Sequence, residues 1–198
     1  MPLSRPDPAA LAAALPAARA APPVERWNPP LSGDMDLRIA RDGAWYHEGA
    51  LIQREALIRL FASILRCDED GHYYLLTPVE KWRIRVDDAP FLAVQLDATG
   101  IGREQILTFT TNVGDMITAG PDHPLIVEYQ TPGGEPAPYL QVRGRLRALL
   151  TRSVFLELAE LGEERPSDQG RDYGVWSLSL IHISEPTRRT PISYAVFC

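Results

Sequence analysis

Leu75-Leu76-Thr77-Pro78-Val79-Glu80-Lys81-Trp82, running on to Asp87-Asp88-Ala89-Pro90-Phe91, is the stretch on which the reading of this chain turns. Tyr73-Tyr74-Leu75-Leu76 reads as a strand, and Pro78 breaks its ladder because proline has no N–H to donate. Trp82-Arg83-Ile84-Arg85-Val86 then alternates apolar with basic, the signature of a strand with one face in a core and one in water. After the acidic, proline-containing junction, Phe91 opens a fresh apolar run. One α/β module ends here and a second, related one begins.

Working backwards, Leu37-Arg38-Ile39-Ala40 alternates as a strand, Asp42-Gly43 is a hairpin signal, and Ala44-Trp45-Tyr46 is the return strand. From Ile52 the period changes. Leu57, Leu60, Phe61, Ile64 and Leu65 share one helical face, with Glu55 and Arg59 paired one turn apart. Asp70-Gly71 ends that segment.

Working forwards, Phe91 to Leu96 and Ile106 to Thr110 read as strands around a loop holding Gly100 and Gly102. Asn112 to Asp115 and Pro121 to Pro124 are turns, and Leu125 to Tyr129 and Tyr139 to Val142 are strands joined across Pro132-Gly133-Gly134. Leu146, Leu149, Leu150, Val154, Leu158 and Leu161 make an apolar helical stripe, 162–172 reads as a polar loop, and Tyr173-Gly174-Val175-Trp176 begins a last strand. The halves share an order, with Gly33-Asp34-Met35 answering Gly114-Asp115-Met116, Arg54 to Leu65 answering Arg145 to Leu156, and Tyr73 to Thr77 answering Tyr173 to Ser177. A helix stripe must bury itself on a sheet. The expected fold is α+β, with two similar modules, each an antiparallel sheet packed against one amphipathic helix.

The two ends read differently. Residues 1–26 form an Ala/Pro-rich arm in which Asp7-Pro8 is a helix start and Pro16 and Pro22-Pro23 are stops. Leu178 to Arg188 resembles a transposase-type sequencing adapter read in frame, and Ile192 to Cys198 resembles the flow-cell primer that follows it. The three residues between them leave room for an index. The tail is therefore set aside like a fusion scar. The chain divides into the arm (1–26), an N-terminal α+β module (27–88), a C-terminal α+β module (89–177) and the adapter-like tail (178–198).

Composition bounds the function. Charged residues at 23% and hydrophobics at 45% over 198 residues are those of a globular protein with a sizeable core. A formal charge of −6 argues against nucleic acid, which calls for a basic face. Leaving out the tail, with its two Arg and one Glu, the balance is 18 basic against 25 acidic. Cys67 is the one thiol of the body, so no internal disulfide framework or multi-cysteine metal site is expected, and it reads as structural. There is no apolar run of about 18 residues and no signal peptide, so no membrane span is expected and the cytoplasm is the default.

Three clusters invite chemistry. Gly100-Ile101-Gly102 lacks the third glycine and the following helix of a dinucleotide loop, so it reads as a hairpin loop. Asn112, Asp115, Asp122 and His123 gather near two turns. A carboxylate beside an imidazole performs acid–base work, while Asn, Asp and Gly also satisfy turn geometry. Glu80 and Lys81 beside Asp87 and Asp88 read either as a solvated turn with weak ion pairs or as a pocket walled by Trp82 and Phe91. His47 and His72 read as surface or hairpin residues, with no second His at ligand spacing and no metal expected.

Trp27-Asn28-Pro29-Pro30, Gly33-Asp34-Met35-Asp36, Arg54-Glu55-Ala56-Leu57, Leu76-Thr77-Pro78-Val79-Glu80-Lys81, Asp88-Ala89-Pro90-Phe91, Thr111-Asn112-Val113-Gly114-Asp115 and Gly120-Pro121-Asp122-His123-Pro124 together resemble the bacterial family called Domain of Unknown Function 1285. The likeness spans about 24–177. It implies a compact α+β fold with two repeated structural motifs, no established activity, and a role in signalling through ligand binding. Similar members continue past Gly174-Val175-Trp176-Ser177 with a short aromatic tail, where this chain turns to adapter-like residues. The reading is a non-enzymatic ligand-binding or signal-transduction module without cofactor, its partner a small molecule or a protein. The candidate ligand-binding residues are Glu80, Lys81, Trp82, Asp88, Phe91, Asn112, Asp115, Asp122 and His123. Two alternatives stay open: a small-molecule enzyme using Asp115, Asp122 or His123, and a protein-interaction module.

Overall fold

The computed structural model describes residues 22–129, 136–167 and 170–178. The Asp7-Pro8 helix start, the Pro132-Gly133-Gly134 connection and all of the adapter-like tail after Leu178 lie outside the described residues. The chain forms two compact units, Met1–Pro90 and Phe91–Cys198.

In the first unit a short 3₁₀ turn, Val24–Arg26, precedes β1 (Leu31–Ile39), β2 (Trp45–His47), β3 (Ala50–Leu51), α1 (Glu55–Ser63), β4 (Leu65–Cys67), β5 (Tyr73–Leu76) and β6 (Lys81–Val86). The sheet order is β3-β2-β1-β6-β5-β4. Asp42 closes the β1–β2 hairpin by accepting the Ala44 N–H at 3.0 Å, with Gly43 in the left-handed conformation at φ 79°. Along β1, Met35, Leu37 and Ile39 are buried while Asp34, Asp36 and Arg38 face water. The core is anchored by Trp45 and Phe61, both fully buried, whose rings stack with centroids 6.2 Å apart and so fasten α1 to the sheet. Pro78 sits in the β5–β6 turn. There the buried Thr77 hydroxyl accepts the Glu80 N–H at 3.0 Å and the Thr77 N–H donates to the Glu80 carbonyl at 2.9 Å.

The second unit contains β7 (Phe91–Thr99), a 3₁₀ turn (Gly102–Glu104), β8 (Ile106–Thr111), β9 (Met116–Thr118), β10 (Leu125–Tyr129), β11 (Pro136–Arg143) and β12 (Leu146–Leu150). These are followed by α2 (Arg152–Glu160), β13 (Glu163–Ser167) and β14 (Gly170–Gly174). Its main sheet runs β10-β11-β12-β7-β8-β9, and β13 and β14 form a separate hairpin. Gly100 stands in the β7–β8 connection as a hairpin glycine at φ 76°, where an added Cβ would lie 2.3 Å from the Glu104 carbonyl oxygen.

The fold is α+β with two similar modules, and the similarity lies in the sheets. Ranked by position in its own unit, each sheet runs third, second, first, sixth, fifth, fourth. Each is mixed: the first and sixth strands pair in parallel (β1 with β6, β7 with β12) while the other neighbours pair antiparallel. The wholly antiparallel sheet expected from the hairpin signals is corrected accordingly. A parallel pair needs a long crossover, and here the four intervening strands supply it.

Three further readings are corrected. Leu146 to Leu161 is a strand followed by a helix. Leu146, Ala148 and Leu150 are buried with period two, Thr151 is the turning point, and Val154 and Leu158 are the buried stripe of α2 beside β7. The polar segment after Leu161 is the β13–β14 hairpin, paired from Glu163 with Gly174 to Ser167 with Gly170. Finally, Gly33-Asp34-Met35 lies within β1 whereas Gly114 and Asp115 belong to the β8–β9 turn and Met116 opens β9, and α1 precedes its fourth strand whereas α2 follows its sixth. The two stretches of sequence therefore do not correspond, although the two sheets do.

Candidate functional site

The solvated face of the first sheet is a field of paired charges. β1 contributes Asp34, Asp36 and Arg38 and β6 contributes Lys81, Arg83 and Arg85, because alternate residues of a strand share a face. The parallel register sets Asp34 opposite Arg83 and Arg38 opposite Arg85, with an irregularity between the two steps. Arg83 donates through Nε to Asp34 Oδ1 at 2.6 Å and through Nη2 to Oδ2 at 2.9 Å, a bidentate pair. Arg38 holds Asp87 the same way, with Nε 2.9 Å from Oδ2, and Arg85 reaches the same carboxylate at 3.3 Å. The Arg83 hydrogen bond keeps the Asp34 carboxyl below its ordinary range, and the Arg38 hydrogen bond does so for Asp87.

A second network lies toward β4. Asp68 accepts Arg66 Nε at 2.5 Å and Lys81 Nζ at 2.5 Å. Burial works to raise its pKa, yet the hydrogen bonds and charges of Arg66 and Lys81 prevail and lower it. The Lys81 ammonium also sits 4.0 Å from the centre of the Tyr74 ring. Tyr74 donates its hydroxyl to Asp70 at 2.6 Å, which pushes the phenol up to about 12 and the Asp70 carboxyl down.

Where the Asp34–Arg83 pair meets the β4–β5 turn, the surface opens into a cleft of about 320 Å³. Asp34, His72, Arg83 and Arg85 supply its polar lining, and Met35, Ile84 and Val86 line it between them. The side chains of Arg83 and Asp34 are 42% and 66% exposed, so both charges are within reach of a solute.

The residues singled out in the sequence are placed as follows. Glu80, Lys81 and Trp82 stand together at the head of β6. Glu80 accepts the Trp82 indole N–H at 3.5 Å, Lys81 is held by Asp68, and Trp82 packs over Gly33. Gly33 has φ 141°, and a Cβ there would lie 3.3 Å from the Trp82 ring, so glycine serves both the backbone and the contact. Asp88 pairs with Arg41 at 3.1 Å. In the second unit Phe91 is fully buried with the Arg143 guanidinium 5.6 Å from its ring, and Arg143 also reaches Asp115 at 3.7 Å. Asn112 acts as a backbone clip: its Oδ1 accepts the Leu92 N–H at 3.0 Å and its own N–H donates to the Leu92 carbonyl at 2.9 Å. His123 Nδ1 lies 3.1 Å from the Gln141 carbonyl, with Asp122 exposed beside it in the β9–β10 loop. Its ring is engaged with backbone rather than with a carboxylate.

The sequence reading noted the alternation of Arg83 and Arg85 but did not connect it to Asp34, Asp36 and Arg38. The signal was present as two alternating charged strands of opposite leading sign. The parallel register, which joins residues 49 apart in the chain, has no local signature. Among the described residues no group of three or more His, Cys, Asp and Glu is arranged to hold a metal ion, and no helix is long and apolar enough to cross a membrane.

Fold and face together define a two-unit α+β protein with a charged cleft on the solvated side of its first sheet. Residues 22–89 match the family model described as Domain of unknown function (DUF1285), N-terminal domain, and residues 90–183 match Protein of unknown function (DUF1285), C-terminal domain. The chain belongs to the DUF1285 family. The second match ends inside the stretch read as adapter-derived. A crystal structure of a DUF1285 family protein from Silicibacter pomeroyi DSS-3 is 47% identical, covers 88% of this chain and 92% of that one, and superposes with a TM-score of 0.81. A DUF1285 family protein from Shewanella baltica OS155 is 27% identical over 64% of this chain and 91% of that one, with a TM-score of 0.50. No curated protein matches the chain.

Proposed function

We propose that this protein is a non-enzymatic, cytoplasmic ligand-binding module of a signalling system, and that the cleft beside Asp34 and Arg83 takes the ligand. The observation that carries the reading is the combination of volume and exposed charge at one place. The cleft is about 320 Å³, at the lower end of the roughly 300–1,000 Å³ of small-molecule sites, and it is lined by charges of both signs. Of the three acid–base candidates Asp115, Asp122 and His123, His123 is engaged with the Gln141 carbonyl and Asp115 with Arg143, which favours binding over the enzymatic alternative.

A thermal-shift screen of the full chain with nucleotides, second messengers, lipid head groups, amino acids and organic acids tests it. A ligand at a hundred times its dissociation constant stabilises by about 2.7 kcal/mol. For a chain of this size that is a rise of about 5–10 °C. The expected result is a rise that disappears in Arg83→Gln. No rise from any compound, or a rise that persists unchanged in that variant, overturns the assignment.

A further inference from the structure

From the arrangement of Asp34 and Arg83 we infer that the cleft selects a small zwitterion, an α-amino acid or a close relative, with its carboxylate on Arg83 and its ammonium on Asp34. The inference rests on the ligand-binding reading above and names the chemical class of the ligand.

The two side chains rise from neighbouring strands in direct register and meet at 2.6 and 2.9 Å. Neighbouring strands stand about 4.8 Å apart, so the pair opens to admit groups separated by a single carbon. Both side chains are too exposed for their mutual pairing to hold them strongly, since exposed ion pairs contribute little, and exchanging partners is therefore inexpensive. What a ligand gains depends on its charges. A simple anion reaching Arg83 displaces Asp34, leaves that carboxylate unpaired and is repelled by it. A simple cation on Asp34 strands Arg83 in the same way. A zwitterion replaces one ion pair by two of the same kind and leaves no charge without a partner.

Arg85 is turned to Asp87, a carboxylate that Arg38 already grips in bidentate fashion, so it is drawn away from the Asp34–Arg83 pair although the trio keeps a net positive charge. His72 lines the cleft from the β4–β5 turn, and the buried Met35 and Ile84 and the half-buried Val86 alternate with the charged residues along β1 and β6. The cleft thus sets a cation-binding group, Asp34, directly beside an anion-binding group, Arg83, with Arg85 as a second cation at its edge. It is a specificity device of the kind that penalises the wrong partner by leaving charges unpaired.

The test uses the full chain and measures affinity by amide chemical-shift titration and by thermal shift. L-leucine is compared with isocaproate, which lacks its ammonium, and with isoamylamine, which lacks its carboxylate; glycine, acetate and methylamine form a second set. Each truncated analogue is expected to bind about tenfold more weakly or worse, the worth of one lost charge-assisted contact. Asp34→Asn is expected to abolish discrimination against the acid, and Arg83→Gln discrimination against the amine, a crossed pattern that loss of structure cannot produce. The charge-swapped double variant, Asp34→Arg with Arg83→Asp, keeps the pair and serves as a folding control by circular dichroism. If acid and amino acid bind equally and Asp34→Asn changes nothing, the zwitterion assignment fails while the binding reading stands. If a nucleotide or other anion binds in an Arg83-dependent way and no zwitterion does, the assignment fails as well. Silence from every compound of the wider screen removes the binding reading and this inference together.

Discussion

Tyr74 keeps its proton into strongly alkaline solution because the Asp70 carboxylate accepts it at 2.6 Å in a ring otherwise buried in the sheet face. Its phenol is raised from 10.0 to about 12, so the fold favours the neutral form. The stabilisation is complete below the unfolded value and is lost as pH rises through about 12. Ultraviolet titration of the tyrosines is expected to show one group ionising well after the rest, and Asp70→Asn is expected to return it toward the ordinary range. A titration in which no tyrosine lags the others contradicts the bond. The opposite sign holds for Asp34, Asp68, Asp70 and Asp87, whose carboxyls are all lowered from 3.8. Their contribution is present above that value and fades as pH falls through their lowered ones. At this scale the sequence was legible where a residue's role is local. Asp42-Gly43 announces a hairpin and Pro78 a break in the ladder. Lys81 and Trp82 were singled out but for a different reason, since their partners Asp68 and Gly33 are far away in sequence and become neighbours only through strand pairing.

Among the elements, the entry segment before β1 is held by one side chain. Arg66 of β4 donates through Nη1 to the Val24 carbonyl at 2.9 Å and the Trp27 carbonyl at 2.7 Å, while Nε and Nη2 grip Asp68 at 2.5 and 3.2 Å. Only the planar fork of arginine spans these acceptors at once. Arg66→Ala is expected to destabilise the first unit by about 2–3 kcal/mol, the worth of hydrogen bonds to a charged donor. Hydrogen exchange is expected to quicken across residues 24–27, and Arg66→Lys is expected to restore only part of the loss. Unchanged exchange in the alanine variant counts against the anchor. Helix α1 was readable because Leu57, Leu60 and Phe61 fall on one face with no competing pattern. The second stripe was misread for a definite reason: Leu146, Leu149 and Leu150 mimic helical spacing, whereas burial follows Leu146, Ala148 and Leu150. A small buried alanine carries too little hydrophobic signal to reveal the period of two.

For the whole molecule, the repeated order of six strands shows that each six-stranded sheet brings its first and sixth strands together in parallel. The family motifs make two modules legible, but sequence periodicity cannot show a pairing that joins the first and sixth strands of a sheet. The chain beyond β14 matters to the second unit in the same long-range way. Val175 and Ser177 are buried, and the Ser177 hydroxyl donates to the Ala119 carbonyl at 2.7 Å while accepting the Leu107 N–H at 3.1 Å. Gln105 adds a bond to the Trp176 carbonyl at 3.0 Å, and the Leu178 N–H donates to the Gln105 carbonyl at 3.0 Å. Ser177→Ala leaves two buried backbone groups without this partner and is expected to cost about 1–3 kcal/mol. Truncation after Gly174 removes the whole segment, including the Val175 side chain, whose burial alone contributes about 1.5–3 kcal/mol. At about 4–8 °C per kcal/mol for a unit of this size, the melting temperature is expected to fall by at least about 10 °C. Truncation after Leu178 keeps every one of these contacts and removes only residues read from the sequence as foreign, so its melting curve is expected to overlay that of the full chain. Equal melting of the two truncated proteins sinks the account of Ser177 as a latch. A loss on cutting after Leu178 as large as on cutting after Gly174 places the stabilising residues in the tail instead.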